Sequence, residues 1–278
     1  MDKYNSVEVY QRDIIEKLLA FQKQGLGKLM EIAETEIDGV KVPFVAFATS
    51  NPAGTPGLIV TARHHVFESY ATTTAAMHLA GKGVEGLVIV PVIDTANYAK
   101  AEYYKQQVLS LPDPLQSLHF QDFLWGYKDL PQKVAIKDWK DYNYIGSGPP
   151  YIEGVKKLVE NSRGVIDLHN TGHLHGFCFV TRYKSSNLEK AMASIGEHAS
   201  SMSLPIAEVG KHYVQLHPGF YLQVEGSGTI ADFANKSGGY YLAFEIPVFA
   251  SRHPIKLIDE AATEAIVAEL VITAARNI

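Results

Sequence analysis

The sequence predicts an α/β fold, a three-layer sandwich in which a mixed, mainly parallel, twisted sheet lies between helices on both faces. Continuous apolar runs over 58–62 and 87–93 alternate with helix-like segments, the pattern of strands covered on both sides. The dipeptide Asp38-Gly39 divides two long extended stretches, as in a hairpin. Three predicted strands carry unusual polar residues at or near their ends: Arg63-His64-His65, Asp167-Leu168-His169-Asn170 and Glu245. In open α/β sheets the carboxyl edge of the strands is where ligands bind. The 278 residues contain no linker-like stretch, so 1–278 reads as one domain that includes the helix and hairpin of 1–50.

The elements follow in order. Ile14, Ile15, Leu18, Leu19 and Phe21 recur at helical spacing, which predicts an amphipathic helix over 13–22. Extended stretches 29–37 and 40–49 flank the Asp38-Gly39 turn. A buried strand over 58–62, an Ala- and Thr-rich helix over 67–79 and a second buried strand over 87–93 come next. Residues 109–140 have little periodicity and read as a long excursion over the surface. A helix over 151–160 leads into a strand over 164–169, and 177–181 is another strand. Residues 188–200 read as a helix, 240–248 as an apolar strand and 255–275 as a closing amphipathic helix.

Composition narrows the function. With 46% hydrophobic residues, one cysteine and no repeats, the chain is neither disordered, collagen-like nor a disulfide scaffold. Twenty-five basic residues against thirty acidic ones give a net charge of −5, with no basic patch to neutralise phosphates, so nucleic acid is not an expected partner. The first residues are charged and lack an apolar signal core, and the longest apolar runs fall short of the roughly 20 residues of a membrane span. A cytoplasmic protein that does not enter the membrane is expected. No G-x-S-x-G elbow, phosphate-binding loop or dinucleotide fingerprint is present. Cys178 lies among Phe177, Phe179 and Val180 and reads as a buried, inert thiol.

The chemistry concentrates in His65-Val66-Phe67-Glu68, an H-x-x-E at a strand-to-helix junction. Zinc accepts imidazole nitrogen and carboxylate oxygen, and catalytic sites commonly use three protein ligands with one position open to water. His169, ending another buried strand, is placed to be the third. His173 and His175 lie between glycines and read as a loop at the rim of the site.

The order of H-x-x-E, then D-L-H about a hundred residues later, then a glutamate on a late strand resembles the zinc carboxypeptidase superfamily, which also contains the succinylglutamate desuccinylase and aspartoacylase deacylases. The resemblance runs from about Leu58 to Val248. It implies a carboxypeptidase-like α/β fold and one zinc per chain held by His65, Glu68 and His169, with Glu245 in Tyr240-Tyr241-Leu242-Ala243-Phe244-Glu245 as general base. Gly228-Thr229-Ile230-Ala231-Asp232-Phe233 is similar to the family's G-(S/T)-I-x-D-aromatic segment, and Asp141-Tyr142-Asn143-Tyr144 to its D-x-N-R. Asn143 and Tyr144 are thereby implied on the substrate side, with Tyr221 nearest the position of the family's pocket tyrosine.

Two departures stand out. Ala62-Arg63-His64 precedes the H-x-x-E where the family has glycine and small residues, and Tyr144 replaces the arginine that clamps a substrate carboxylate. Among the lysines upstream, Lys133 has the spacing to stand in for the missing basic residue. The implied function is zinc-dependent cleavage of an amide bond, metallocarboxypeptidase-like, acting on a small peptide or acyl-amino acid. The alternatives are an N-acyl amino acid deacylase of the desuccinylase and aspartoacylase type, and a zinc- or ligand-binding protein without catalysis.

Overall fold

A computed structural model describes residues 5–50, 57–62, 70–112, 150–171, 176–181, 186–207, 213–223, 230–252 and 255–278. The chain begins with α1 (Ser6–Tyr10), one wide π-helical stretch (Gln11–Glu16) and α2 (Lys17–Lys23), which together bury Val9, Tyr10, Ile14, Ile15 and Leu18. β1 (Gly27–Ile37) and β2 (Val40–Thr49) form the predicted hairpin. Asp38 (φ 49°) and Gly39 (φ 82°) both take the left-handed backbone that a two-residue hairpin turn demands. Then come β3 (Leu58–Ala62), α3 (Thr72–Lys82), β4 (Leu87–Val90), α4 (Thr95–Leu109) and α5 (Pro150–Glu160). β5 (Gly164–Thr171), β6 (Cys178–Thr181), α6 (Ser186–Ser201), β7 (Tyr213–His217) and β8 (Phe220–Gln223) follow. The chain ends with α7 (Ile230–Lys236), β9 (Tyr240–Pro247), the short pair β10 (Phe249–Arg252) and β11 (Ile255–Leu257), and α8 (Glu260–Asn277).

Nine strands make one mixed sheet in the order β1-β2-β4-β3-β5-β9-β6-β8-β7. Its centre, β4-β3-β5-β9, is parallel, and antiparallel pairs bring in the hairpin on one side and β6 on the other. The predicted three-layer α/β architecture is what the chain adopts. Because successive side chains on a strand face opposite ways, the central strands feed two cores. Val60, Ile166, Leu168, Leu242, Phe244 and Ile246 pack with the α1–α2 segment, α3, α6 and α8. Ile59, Val165, Tyr241, Ala243, Cys178 and Val180 pack on the other face with α5 and α7.

From β3 the chain order runs outward in both directions, to β4 on one side and β5 on the other. Such a reversal leaves a crevice at the carboxyl ends of the two diverging strands, where crossover helices depart to opposite sides. The H-x-x-E follows β3, and His169 lies near the end of β5.

Several boundaries differ from the sequence reading. α4 was not read from the sequence, because its alternation of Ala, Tyr and Lys leaves no single apolar stripe to read. The helix expected over 255–275 starts only at Glu260. Residues 255–257 pair as β11, and Asp259 caps the helix by accepting the Ala262 N–H at 3.1 Å. The strand expected over 87–93 pairs only to Val90. The helix expected from 67 is described from Thr72, and most of the excursion over 109–140 lies outside the described residues. β7 and β8 were not read from the sequence; at five and four residues they are too short for a period to stand out.

Gly154 shows how closely α5 approaches the hairpin, since a Cβ built there would lie 2.7 Å from the Ile32 carbonyl oxygen. Alanine ordinarily stabilises a helix interior by about 1 kcal/mol over glycine. Here the clash is with backbone, which has no rotamer to yield, and overpacking costs about 1–3 kcal/mol. Gly154→Ala is therefore expected to lower the thermal midpoint; a raised midpoint would show that α5 can move off β1 freely.

Candidate metal and catalytic site

β5 places Val165, Asp167 and His169 on one face, level with Tyr241, Ala243 and Glu245 of β9 in successive parallel registers. Asp167 is 1% exposed, and an isolated buried carboxylate would be costly. Three donors converge on it instead. Thr61 Oγ1–H, from the paired position on β3, donates at 2.8 Å to Oδ1; Tyr241 OH donates at 3.0 Å to Oδ2; and His169 Nε2 lies 2.7 Å from Oδ2. An ionised carboxylate only accepts, so this set matches its chemistry and orients the imidazole. With Nε2–H committed to Asp167, the ring's lone pair resides on Nδ1.

Glu245 is half-buried, opposite His169 on one side and Cys178 of β6 on the other. Burial, and next the negative charge of Glu245, push the Cys178 thiol well above the usual thiol range. Cys178 is thus an inert core thiol, as its apolar neighbours predict.

The chain that leaves β3 and returns at Tyr70 is anchored at both ends to β5. Ala62 pairs with Leu168, and the Tyr70 backbone is held by the side chain of Asn170, which accepts the Tyr70 N–H at 2.9 Å and donates to its carbonyl at 2.7 Å. His65 and Glu68 lie between those anchors and outside the described residues, as do Lys133, Asn143 and Tyr144. Among the described residues no three His, Cys, Asp or Glu side chains form a ligand cluster. Tyr221 lies on the same sheet face two strands beyond β9, is 2% exposed, and donates its hydroxyl to the Ala207 carbonyl at 3.0 Å. The structure thus brings His169 and Glu245 together. It adds three residues to which the sequence reading gave no role: Asp167, Thr61 and Tyr241. The signal for Asp167 was the two-residue step of Asp167-Leu168-His169, which puts both side chains on one face of a strand.

A histidine whose second nitrogen is held by a carboxylate is the common arrangement of a metal ligand, and His169 has that arrangement.

The architecture is the carboxypeptidase-like fold. The chain is similar to the structure of a candidate carboxypeptidase A from Shewanella denitrificans OS-217, at 15% identity and a TM-score of 0.59, covering 96% of this chain and 68% of that one. A candidate metallopeptidase from Shewanella amazonensis SB2B matches at 15% identity and a TM-score of 0.55, over 95% of this chain and 89% of that one. A metallo-carboxypeptidase from Pseudomonas aeruginosa, in complex with (2-guanidinoethylmercapto)succinic acid, matches at 12% identity and a TM-score of 0.54, over 94% and 68%. No protein-family profile matches the sequence, and no curated protein matches it. No described helix is long and apolar enough to cross a membrane.

Proposed function

We propose that this protein is a zinc-dependent hydrolase of amide bonds, of the metallocarboxypeptidase kind, with His65, Glu68 and His169 as metal ligands and Glu245 as general base. The observation that carries the reading is His169, held by the buried Asp167 and set opposite Glu245 at the carboxyl edge of a carboxypeptidase-like sheet. Connectivity supports the remaining ligands. The H-x-x-E begins three residues after Ala62 and ends two residues before Tyr70. Both anchors sit beside β5.

Zinc at these residues would supply Lewis-acid polarisation of the scissile carbonyl and a water of lowered pKa. Asp167 holds the His169 ring in the tautomer that presents Nδ1, and its charge raises the basicity of that nitrogen. Glu245 takes a proton from the attacking water and delivers it to the leaving nitrogen, acting first as base and then as acid. Asn143, Tyr144 and Lys133 are assigned to the substrate side; Tyr221, which the sequence reading placed there, is instead a core residue with its hydroxyl bound to the Ala207 carbonyl. Tyr144 offers one neutral hydroxyl and an aromatic face, and neutral hydrogen bonds have about half the strength of charge-assisted ones. The favoured substrate is accordingly a small peptide or acyl-amino acid whose binding does not depend on a clamped carboxylate.

Zinc titration of the metal-free protein tests the ligand set. One zinc per chain is expected, with stoichiometric binding lost in both His65→Ala and His169→Ala. Tight, stoichiometric zinc in both variants would overturn the assignment.

A further inference from the structure

The carboxamide of Asn170, the residue after His169, joins three parts of the chain. Its Oδ1 accepts the Tyr70 N–H at 2.9 Å, while its Nδ2–H₂ donates to the Tyr70 carbonyl at 2.7 Å and to the Ile246 carbonyl at 3.3 Å. Two carbonyls face one end and an N–H faces the other, so only one orientation of the amide serves all three contacts. Ile246 follows Glu245, and Tyr70 comes two residues after Glu68. One side chain therefore ties the strand of His169 to the strand of Glu245 and to the chain returning from the H-x-x-E.

The far side of Tyr70 is fixed as well. Its hydroxyl donates to the Ile258 carbonyl at 2.7 Å, and the Ala71 N–H donates to Glu260 Oε1 at 3.1 Å. The same Glu260 oxygen accepts Lys105 Nζ at 2.8 Å, and that ammonium, 4% exposed on its side chain, lies 5.9 Å from the Tyr70 ring centroid. Ala71 is held with φ 62°, a left-handed conformation an alanine adopts only under constraint. α4 and α8 thus clamp the 70–71 backbone from the helix side, and Asn170 clamps it from the sheet side.

We infer that Asn170 is a positioning residue that holds the Tyr70–Ala71 backbone, which begins two residues after Glu68, in register with His169 and Glu245. The role rests on the zinc reading above, and its test separates the two. Asn170→Asp keeps the size and one acceptor but turns a carboxylate oxygen toward the Tyr70 and Ile246 carbonyls, where a donor is needed. In the folded variant the zinc dissociation constant is expected to rise about 10–100-fold, the range typical of outer-shell partners. The visible spectrum of the cobalt-substituted protein should change, and the Tyr70 amide should exchange faster with solvent in the metal-free protein.

Zinc affinity and a cobalt spectrum unchanged from the parent would overturn the role. If the Asp variant does not fold, Asn170→Ala, which adds no charge, is read the same way; failure of both to fold without zinc would make Asn170 purely structural and overturn its positioning role. His169→Ala is measured alongside. Zinc lost there but fully kept in the Asn170 variant overturns the positioning role alone, whereas zinc kept in both overturns the metal site and the role of Asn170 with it.

Discussion

Replacing Glu245 by glutamine is expected to lower turnover about 10²–10⁴-fold, the usual contribution of a general acid–base group, while the protein stays folded and loads zinc as before. The position explains the separation. Glu245 is a β9 residue paired in register with His169 on one strand and with Cys178 on another, so its backbone is fixed by two ladders whatever its side chain. Glutamine keeps the shape and removes the ability to accept a proton as carboxylate. Steady-state kinetics on a panel of N-acyl amino acids and N-blocked dipeptides, with zinc content measured on the same samples, provides the check. A zinc-loaded Glu245→Gln protein of comparable turnover would remove Glu245 from the chemistry.

Asp167→Ala is expected to have the largest effect on stability. The carboxylate is 1% exposed and serves Thr61, Tyr241 and His169 together. Its removal leaves donors buried without an acceptor, each at a cost of about 1–3 kcal/mol. Against the roughly 5–15 kcal/mol by which ordinary domains are stable, a loss of several kcal/mol brings the chain near its unfolding threshold. Asp167→Asn keeps the volume and one acceptor oxygen, so it should stay folded more readily. It lacks the charge that holds and activates His169, and its zinc affinity should fall about 10–100-fold. Urea unfolding of the metal-free variants followed by zinc titration measures both effects. An Asp167→Ala protein as stable as the parent would show that the three donors find other acceptors.

Much of the architecture was legible because local chemistry and tertiary fold agree on it. Asp38-Gly39 suits a turn with two left-handed residues, and the structure uses both. The apolar run of β3 predicts a strand covered on both faces, and all five of its residues are buried. α4 was not legible because its burial leaves no regular apolar stripe, and β7 and β8, at five and four residues, are too short to show a period; β7 is moreover largely exposed. The start of the last helix was also misplaced. Ile255 and Leu257 are two residues apart, the spacing of a strand, and they pair with β10 before the helix begins.

The order of an H-x-x-E, a D-L-H and a late glutamate gave the sequence its resemblance to the zinc carboxypeptidases, and the sequence by itself determined the α/β class, the hairpin and the alternation of buried strands. These are properties of composition, period and spacing, which a linear chain carries in full. Only the tertiary structure decided that His169 and Glu245 stand opposite each other, since the register of β5 on β9 joins positions 76 residues apart. It alone gave Asp167 three donors from three strands, and it made Asn170 the tie between two strand ends and Tyr70. Hydrogen bonds across parallel strands depend on register, and register is set by packing on both faces of the sheet rather than by any residue's nearest neighbours.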